Sequence, residues 1–442
     1  MKNELLKILE KRRMGIHSGI PSFCSANKLV IETVLEQALR YDDIVVIEAT
    51  SNQVNQFGGY MGMTSADFKN YVYKIADDLN IERNKIILGG DHLGPLPWSS
   101  LPAQEAMENA KVLVRDCVKA GYTKIHLDTS MMLADDDRNY RLSDDIIAQR
   151  GAILYKECIE AYNELLKTEP ESVRPVFVIG SEVPVPGGAV DESNNLNDTD
   201  THDFEKTLVA YNKAFAALGL ENAWKDIIAV VVQPGVEFSE TDIHQYDRYQ
   251  AKALNSKLKQ YPNLVFEGHS TDYQPYEKLR EMVEDGIAII KVGPALTYAA
   301  REALFALSMI EDELIEDKNN RSNFRQILEK VMLENDNNWK KYYQGTALEK
   351  LLLRKYSFSD RSRYYFEDVR IKNAIEILFA NLSKSGIPIH ILHQYMPLQY
   401  MQVRDGKLQC TPRELVKESV RYIVENYNYA VKINYMMETI NL

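Results

Sequence analysis

Between residues 19 and 294 the chain repeats one pattern eight times: a short apolar run rich in Val and Ile, a polar or glycine-containing end, then a stretch with helical spacing. The runs are GIPSFCSA (19–26), IVVIEATS (44–51), KIILGGDH (85–92), KIHLDTS (124–130), PVFVIGSEVP (175–184), IIAVVVQPG (227–235), LVFEGHSTD (264–272) and AIIKVGP (288–294). Strands buried on both faces read as continuous β-branched runs, and their alternation with helices calls for right-handed crossovers and a parallel sheet. Eight such units fit a closed (β/α)8 TIM barrel, whereas an open doubly wound sheet ordinarily stops at about five to seven strands and binds nucleotide on its first turn. The nearest glycine-rich stretch, FGGYMG (57–62), is not a GxGxxG fingerprint, and no GxxxxGK[ST] loop exists, which argues against a P-loop kinase. The intervening segments agree: AMENAKVLVRDCVKAG (106–121) spaces Met107, Ala110, Val114 and Cys117 at helical intervals and stops at Gly121. We expect a barrel over residues 1–300 that closes near Pro294, with residues 301–442 as a helical extension packing on it.

With 45% hydrophobic residues in 442, the core is ample. The balance of 52 Lys+Arg against 64 Asp+Glu gives a formal charge of −12 and no basic block, so neither nucleic acid nor an anionic membrane is an expected partner. No run of about 18 apolar residues occurs, and the N-terminal MKNELLKILEKRR is charged and amphipathic, so a cytoplasmic location is expected. Cys24, Cys117, Cys158 and Cys410 lie far apart without CxxC spacing; they read as reduced, and Cys24 alone falls near a strand end.

In a barrel of this kind the C-terminal strand ends converge on one face. Here they carry Glu48, Asp91, His92, Asp128, Glu182, Gln233, Glu267, His269 and Lys291. Asp91–His92 and Glu267–Gly268–His269 each place two metal-competent side chains at one point. We therefore expect a divalent metal on His92 with Glu267, His269 or both, and Gln233 or a carboxylate completing the shell. A mixed nitrogen and oxygen set favours Zn²⁺, with Mn²⁺, Co²⁺, Ni²⁺ and Mg²⁺ as alternatives. Asp91, Asp128, Glu182 and Glu48 are the candidate proton-moving carboxylates. His126 shares the inward parity of Asp128 but lies two residues deeper, which reads as a core or supporting position. The remaining histidines, 17, 202, 244, 390 and 393, have no strand-end context. Turns after strands seven and eight, with Ser270, Thr271, Lys291, Gly293 and Thr297, occupy places where this fold often holds phosphate. The stretch SFSDRSRYY (357–365) would bring Arg361 and Arg363 to the same ligand.

The strings IEATSNQVNQFGGYMGMT, ILGGDHLGP, KIHLDTSM, GSEVPVPGG, VVVQPGVEF, EGHSTDYQ, KVGPALT, WKKYY and SDRSRYY span nearly the whole chain and resemble the Z-type (GatZ/KbaZ) subunits of D-tagatose-1,6-bisphosphate aldolase. The resemblance implies kinship with class II aldolases and a metal-dependent barrel. It also implies either an accessory role beside a separate catalytic aldolase subunit, or ketose or ketose-phosphate 4-epimerase activity. Within it, Asp91–His92 matches the aldolase pair of proton-shuttling acid and metal ligand, and Glu182 matches the strand-five glutamate. The aldolase histidine after strand six has no counterpart in QPGVEF, and Glu267 followed by His269 stands where the third is expected. Bisphosphate cleavage by this chain alone is thereby put in doubt.

A convergent set of carboxylates, histidines and a lysine is costly to bury without purpose. The sequence thus favours metal-dependent retro-aldol chemistry on fructose and tagatose or their 6-phosphates. The runner-up is a non-catalytic aldolase subunit, and a pure sugar-phosphate binding protein is a third reading. Self-association through the helical additions is a further expectation.

Overall fold

The structure is a computed structural model that describes residues 2–180, 199 and 201–432. Eight parallel strands close into a barrel in sequential order: β1 (Ile20–Cys24), β2 (Val45–Thr50), β3 (Ile86–Leu93), β4 (Lys124–Leu127), β5 (Val176–Ile179), β6 (Ile227–Val232), β7 (Val265–Gly268) and β8 (Ile287–Val292). Each of the eight apolar runs contributes one strand. β1 pairs with β8 through Ser22 opposite Lys291, which closes the ring.

Side chains alternate along every strand, and the two sets meet different surroundings. Ile47, Leu88, Ile125, Phe177, Val230, Phe266 and Ile290 point outward into the core shared with the helices. Val46, Ile87, Val178, Val231, Val265 and Ile289 point inward and form a separate apolar floor, sealed by Leu5, Ile8 and Leu9 at the N-terminal helix Leu6–Arg13. The inward positions nearer the C-terminal ends are Glu48, Asp91, Lys124, His126, Glu267 and Lys291, all buried. The barrel interior is therefore apolar below and ionic above.

Local signals start and stop the helices. Asn27 accepts the N–H groups of Leu29 and Val30 to begin Lys28–Arg40, and Thr64 with Asp67 forms a reciprocal cap on Ser65–Asp78. Gly121 at φ 92° ends Ala103–Ala120, as its place in the sequence predicts. A short antiparallel ribbon, Glu237–Phe238 with Ile243–His244, follows β6 and carries no signal that the repeating pattern reveals.

After β8 the helix Pro294–Leu314 runs across residue 300 without interruption. The later helices end in Pro412–Val431, which packs back on Pro294–Leu314, Tyr276–Asp285 and Lys28–Arg40. Its Tyr427 hydroxyl donates to the Thr271 carbonyl at 2.8 Å. The turn Arg361–Tyr365 lies over the C-terminal face of the barrel. No helix among the described residues is long and apolar enough to cross a membrane.

Candidate metal centre and active-site cavity

Four inward residues form the lower charged tier. Lys124 Nζ lies 2.7 Å from Glu48 Oε1 and 2.7 Å from Glu267 Oε2. Lys291 pairs with Glu48 and lies 2.8 Å from Asp91 Oδ1. Gly89, beside Glu48 on β3, makes this tier possible: a Cβ there would stand 2.4 Å from Glu48 Oε1. Burial alone would strip the Lys291 proton, but Asp91 and Glu48 outweigh it and hold the ammonium well above its ordinary pKa. It stays charged at neutral pH, which makes it a poor Schiff-base nucleophile.

The upper tier is a triangle of imidazoles. His92, His126 and His269 meet edge to face with ring centroids 4.8–5.0 Å apart. Together with Asp91 they offer ligand atoms that all lie within 4.8 Å of one another. Each ring is anchored through one nitrogen. His92 Nδ1 donates to Asp128 Oδ2 at 2.7 Å, His126 Nε2 to the Gly180 carbonyl at 3.0 Å, and His269 Nε2 to Glu267 Oε1 at 2.9 Å. An imidazole fixed this way by a carboxylate or carbonyl is oriented, in the correct tautomer, to offer its other nitrogen to a metal.

The second nitrogens of His92 and His269 carry no hydrogen bond among the described residues and are open to a cation, whereas that of His126 already has a donor. His126 Nδ1 accepts the backbone N–H of His92 at 3.1 Å, and Asp91 Oδ1 lies 3.1 Å from the same atom. A lone pair so close to a carboxylate oxygen is unfavourable unless positive charge lies nearby. Burial pushes the Asp91 carboxyl up, but Lys291 and His92 outweigh it and hold it well below the usual range. Burial also keeps His269 at about 4, hence neutral. Around the centre, four buried carboxylates (Glu48, Asp91, Asp128, Glu267) face two ammonium groups (Lys124, Lys291) and His92, whose pKa burial would lower but Asp91 and Asp128 together raise, so carboxylates outnumber cations among the described residues. The cluster is compatible with a divalent ion, which would offset that excess of negative charge.

The backbone is bent to build this tier. The β3–β4 register shifts between Gly90 and Leu93, and His92 sits at φ 47°. Ser270, directly after His269, sits at φ 52°. Left-handed conformations cost non-glycine residues about 1–3 kcal/mol and cluster at functional sites.

Of the residues singled out from the sequence, Asp91, His92, Asp128, His269, Ser270 and Lys291 line one cavity at the barrel mouth, joined by Gly293, Thr297 and Arg363. Cys24 lines it as well, with Sγ 3.4 Å from Asp91 Oδ2. Glu48 and Glu267 lie beneath it. Glu267 is held by Lys124 and supports His269, so it stands behind a candidate ligand instead of beside it. Asp128 likewise anchors His92 and accepts from Ser130. Gln233 is not brought to the centre: its amide oxygen accepts from Val236 N–H and its nitrogen donates to Glu237. Thr271 donates to the Lys291 carbonyl, and Arg361 reaches the Asn338 carbonyl at 3.2 Å, away from the cavity. Glu182 lies outside the described residues.

His126 and Lys124 carry more of the site than the sequence reading assigns them. Their signal was present: Lys124 and His126 share one parity on β4, the parity that Asp128 continues just past its end. Tyr60, Tyr364 and Asp272 also line the cavity; they fall within the strings FGGYMG, SDRSRYY and EGHSTDYQ, in which the sequence reading assigns them no role.

The profile of the D-tagatose-1,6-bisphosphate aldolase subunit GatZ/KbaZ-like family matches residues 5–432. Among solved structures, that of a probable tagatose 6 phosphate kinase from Sinorhizobium meliloti 1021 is 41% identical, with a TM-score of 0.84, over 93% of this chain and 100% of that chain. The YdjI aldolase from Escherichia coli K12 is 13% identical with a TM-score of 0.41, over 88% of this chain and 98% of that chain. Fructose-bisphosphate aldolase from Campylobacter jejuni gives 13% and 0.41, over 93% and 95%. At the distance of these two aldolases no functional argument passes between the chains.

Proposed function

The chain belongs to the D-tagatose-1,6-bisphosphate aldolase subunit GatZ/KbaZ-like family, and from that membership and the barrel mouth we propose a metal-dependent ketohexose or ketohexose-phosphate 4-epimerase acting on fructose and tagatose or their 6-phosphates. The observation that carries this reading is the triangle of three anchored imidazoles beside the Asp91–Lys291 pair, at the base of an open cavity. His92 and His269 would hold the ion with Asp91 within reach of it, and His126 would join them once its Nδ1 exchanged the His92 N–H for the metal. Such an ion, Zn²⁺ by preference, would polarise the ketose carbonyl and stabilise negative charge that develops on its oxygen.

The C4–H of a ketohexose is not acidic, so inversion at C4 proceeds by breaking and remaking C3–C4. A base removes the proton of O4; the C3–C4 electron pair passes to the C1–C3 fragment as an enediolate, and C4 becomes an aldehyde carbon. The aldehyde turns its other face, C3 attacks it, and the proton returns to O4. We assign the taking and returning of that proton to Asp91, which opens on the cavity beside Lys291. Lys291 stabilises the ionised form of Asp91 and cannot itself accept a proton while charged.

The test uses the purified full-length chain without a partner. With a divalent metal it should convert fructose or fructose 6-phosphate to the tagatose counterpart, and a chelator should abolish conversion. Asp91→Asn should cost about 10²–10⁴-fold in rate. Deuterium at C4 should stay in the product, since C4–H is never broken; washout into solvent would sink the mechanism. The family description favours one other reading, an accessory subunit of a class II aldolase. Inactivity on all four ketoses, with stimulation of a separate catalytic aldolase subunit, would select it.

A further inference from the structure

The donors that the sequence assigns to phosphate around β7 and β8 are largely engaged within the chain. Thr271 Oγ1 donates to the Lys291 carbonyl at 2.5 Å, and Thr297 Oγ1 to Asp360 Oδ2 at 2.7 Å. The N–H groups of Gly293 and Ala295, at the start of Pro294–Leu314, both donate to Asp272 Oδ1, at 3.1 and 2.8 Å. A helix N-terminus after β8 is where an anion would be drawn. Asp272 already supplies that anion.

Its other oxygen remains open. Asp272 is 3% exposed and lines the cavity, and its Oδ2 takes no hydrogen bond among the described residues. Ser270 is 4% exposed and lines the same cavity, but its Oγ is buried and turned toward Glu237. A carboxylate oxygen left open on the cavity is suited to accept from a sugar hydroxyl.

We infer that Asp272 is a specificity-determining residue that selects an uncharged polyol end of the sugar, so that the substrate is a free ketohexose and its phosphorylated counterpart is disfavoured. This rests on the ketose reading above and narrows it. A phosphate in the same place would set a dianion against a buried carboxylate, with the helix N–H groups already used. Arg363 does not reverse the balance. Its Nη1 donates to the Ser359 and Asp360 carbonyls and its Nη2 to the Tyr364 hydroxyl at 2.9 Å. Burial raises the Asp272 carboxyl to about 6 despite the two backbone N–H groups and Arg363, so it is largely ionised at neutral pH.

Calorimetric titration of the metal-loaded full-length chain with fructose, fructose 6-phosphate and inorganic phosphate tests the inference. Fructose should bind more tightly than fructose 6-phosphate, and inorganic phosphate should not compete with it. Asp272→Asn keeps an oxygen for the two N–H groups but removes the charge; it should shift the affinity ratio toward fructose 6-phosphate by about tenfold or more, with thermal melting confirming that the variant is folded. Tighter binding of fructose 6-phosphate by the unaltered chain overturns the inference, as does an unchanged ratio in folded Asp272→Asn. Turnover in the same samples separates the two proposals. Preferential fructose binding without conversion of either sugar supports the role of Asp272 and removes the epimerase; tighter binding and faster conversion of fructose 6-phosphate removes only the role of Asp272.

Discussion

His269 donates from Nε2 to Glu267 Oε1 at 2.9 Å, two residues back along the same strand end. The inward parity of β7 thus stacks a carboxylate beneath an imidazole, and Lys124 on the far side keeps that carboxylate ionised. Glu267→Gln should leave His269 in place but remove the charge that makes its second nitrogen a strong donor. We expect metal affinity to fall by about 10–100-fold, read by competition with a chromogenic chelator. An unchanged affinity would mean that Glu267 has no part in tuning His269.

His126 and Gln233 give opposite expectations. His126 is buried in the imidazole triangle, whereas Gln233 spends its amide on Val236 and Glu237. After dialysis, His126→Ala and His92→Ala should retain far less bound metal than the unaltered chain while keeping their helical circular dichroism. Gln233→Ala should retain all of it. Metal loss in Gln233→Ala, or full retention in His126→Ala, would redraw the centre.

The barrel was legible because alternation of β-branched runs with helical spacing is a long, redundant signal, repeated eight times. So was the inward row of strand-end residues, since parity along a strand fixes facing. Which inward residue supports and which could ligate was not. That depends on depth and on cross-strand partners: Glu267 finds Lys124 from β4, and His126 finds His269 from β7. The phosphate-site residues show the same limit. Position after β7 and β8 was readable, but not that Asp272 would turn onto the next helix and occupy its N–H groups. The left-handed backbone at His92 and Ser270 is likewise set by tertiary context against local preference.

Lys124 bridges Glu48 and Glu267, and all three are fully buried. Replacing it with Met keeps the volume and leaves Glu267 without its ammonium. Breaking a buried pair from one side costs about 3–5 kcal/mol. Lys124→Met should therefore lower the urea midpoint sharply, and adding Glu267→Gln should recover part of the loss, because the uncompensated charge is then gone. A double variant no more stable than Lys124→Met would show that the two residues are not coupled.

Glu237 stands apart from the imidazole centre, on the short ribbon after β6, where burial raises its carboxyl from 4.5 to about 7 although Phe238 N–H bonds its oxygen. The folded chain therefore holds a proton that the unfolded chain has released. Below about pH 4.5 both states are protonated and the group is neutral to stability; between about 4.5 and 7 stability falls as pH rises, and above about 7 the deficit is constant. A shift of this size corresponds to about 3 kcal/mol. Glu237→Gln removes the titration while keeping the shape, so its urea midpoint should match the unaltered chain at the acid end and exceed it progressively toward neutrality. Parallel midpoints across that range would show that Glu237 is ionised in the folded protein.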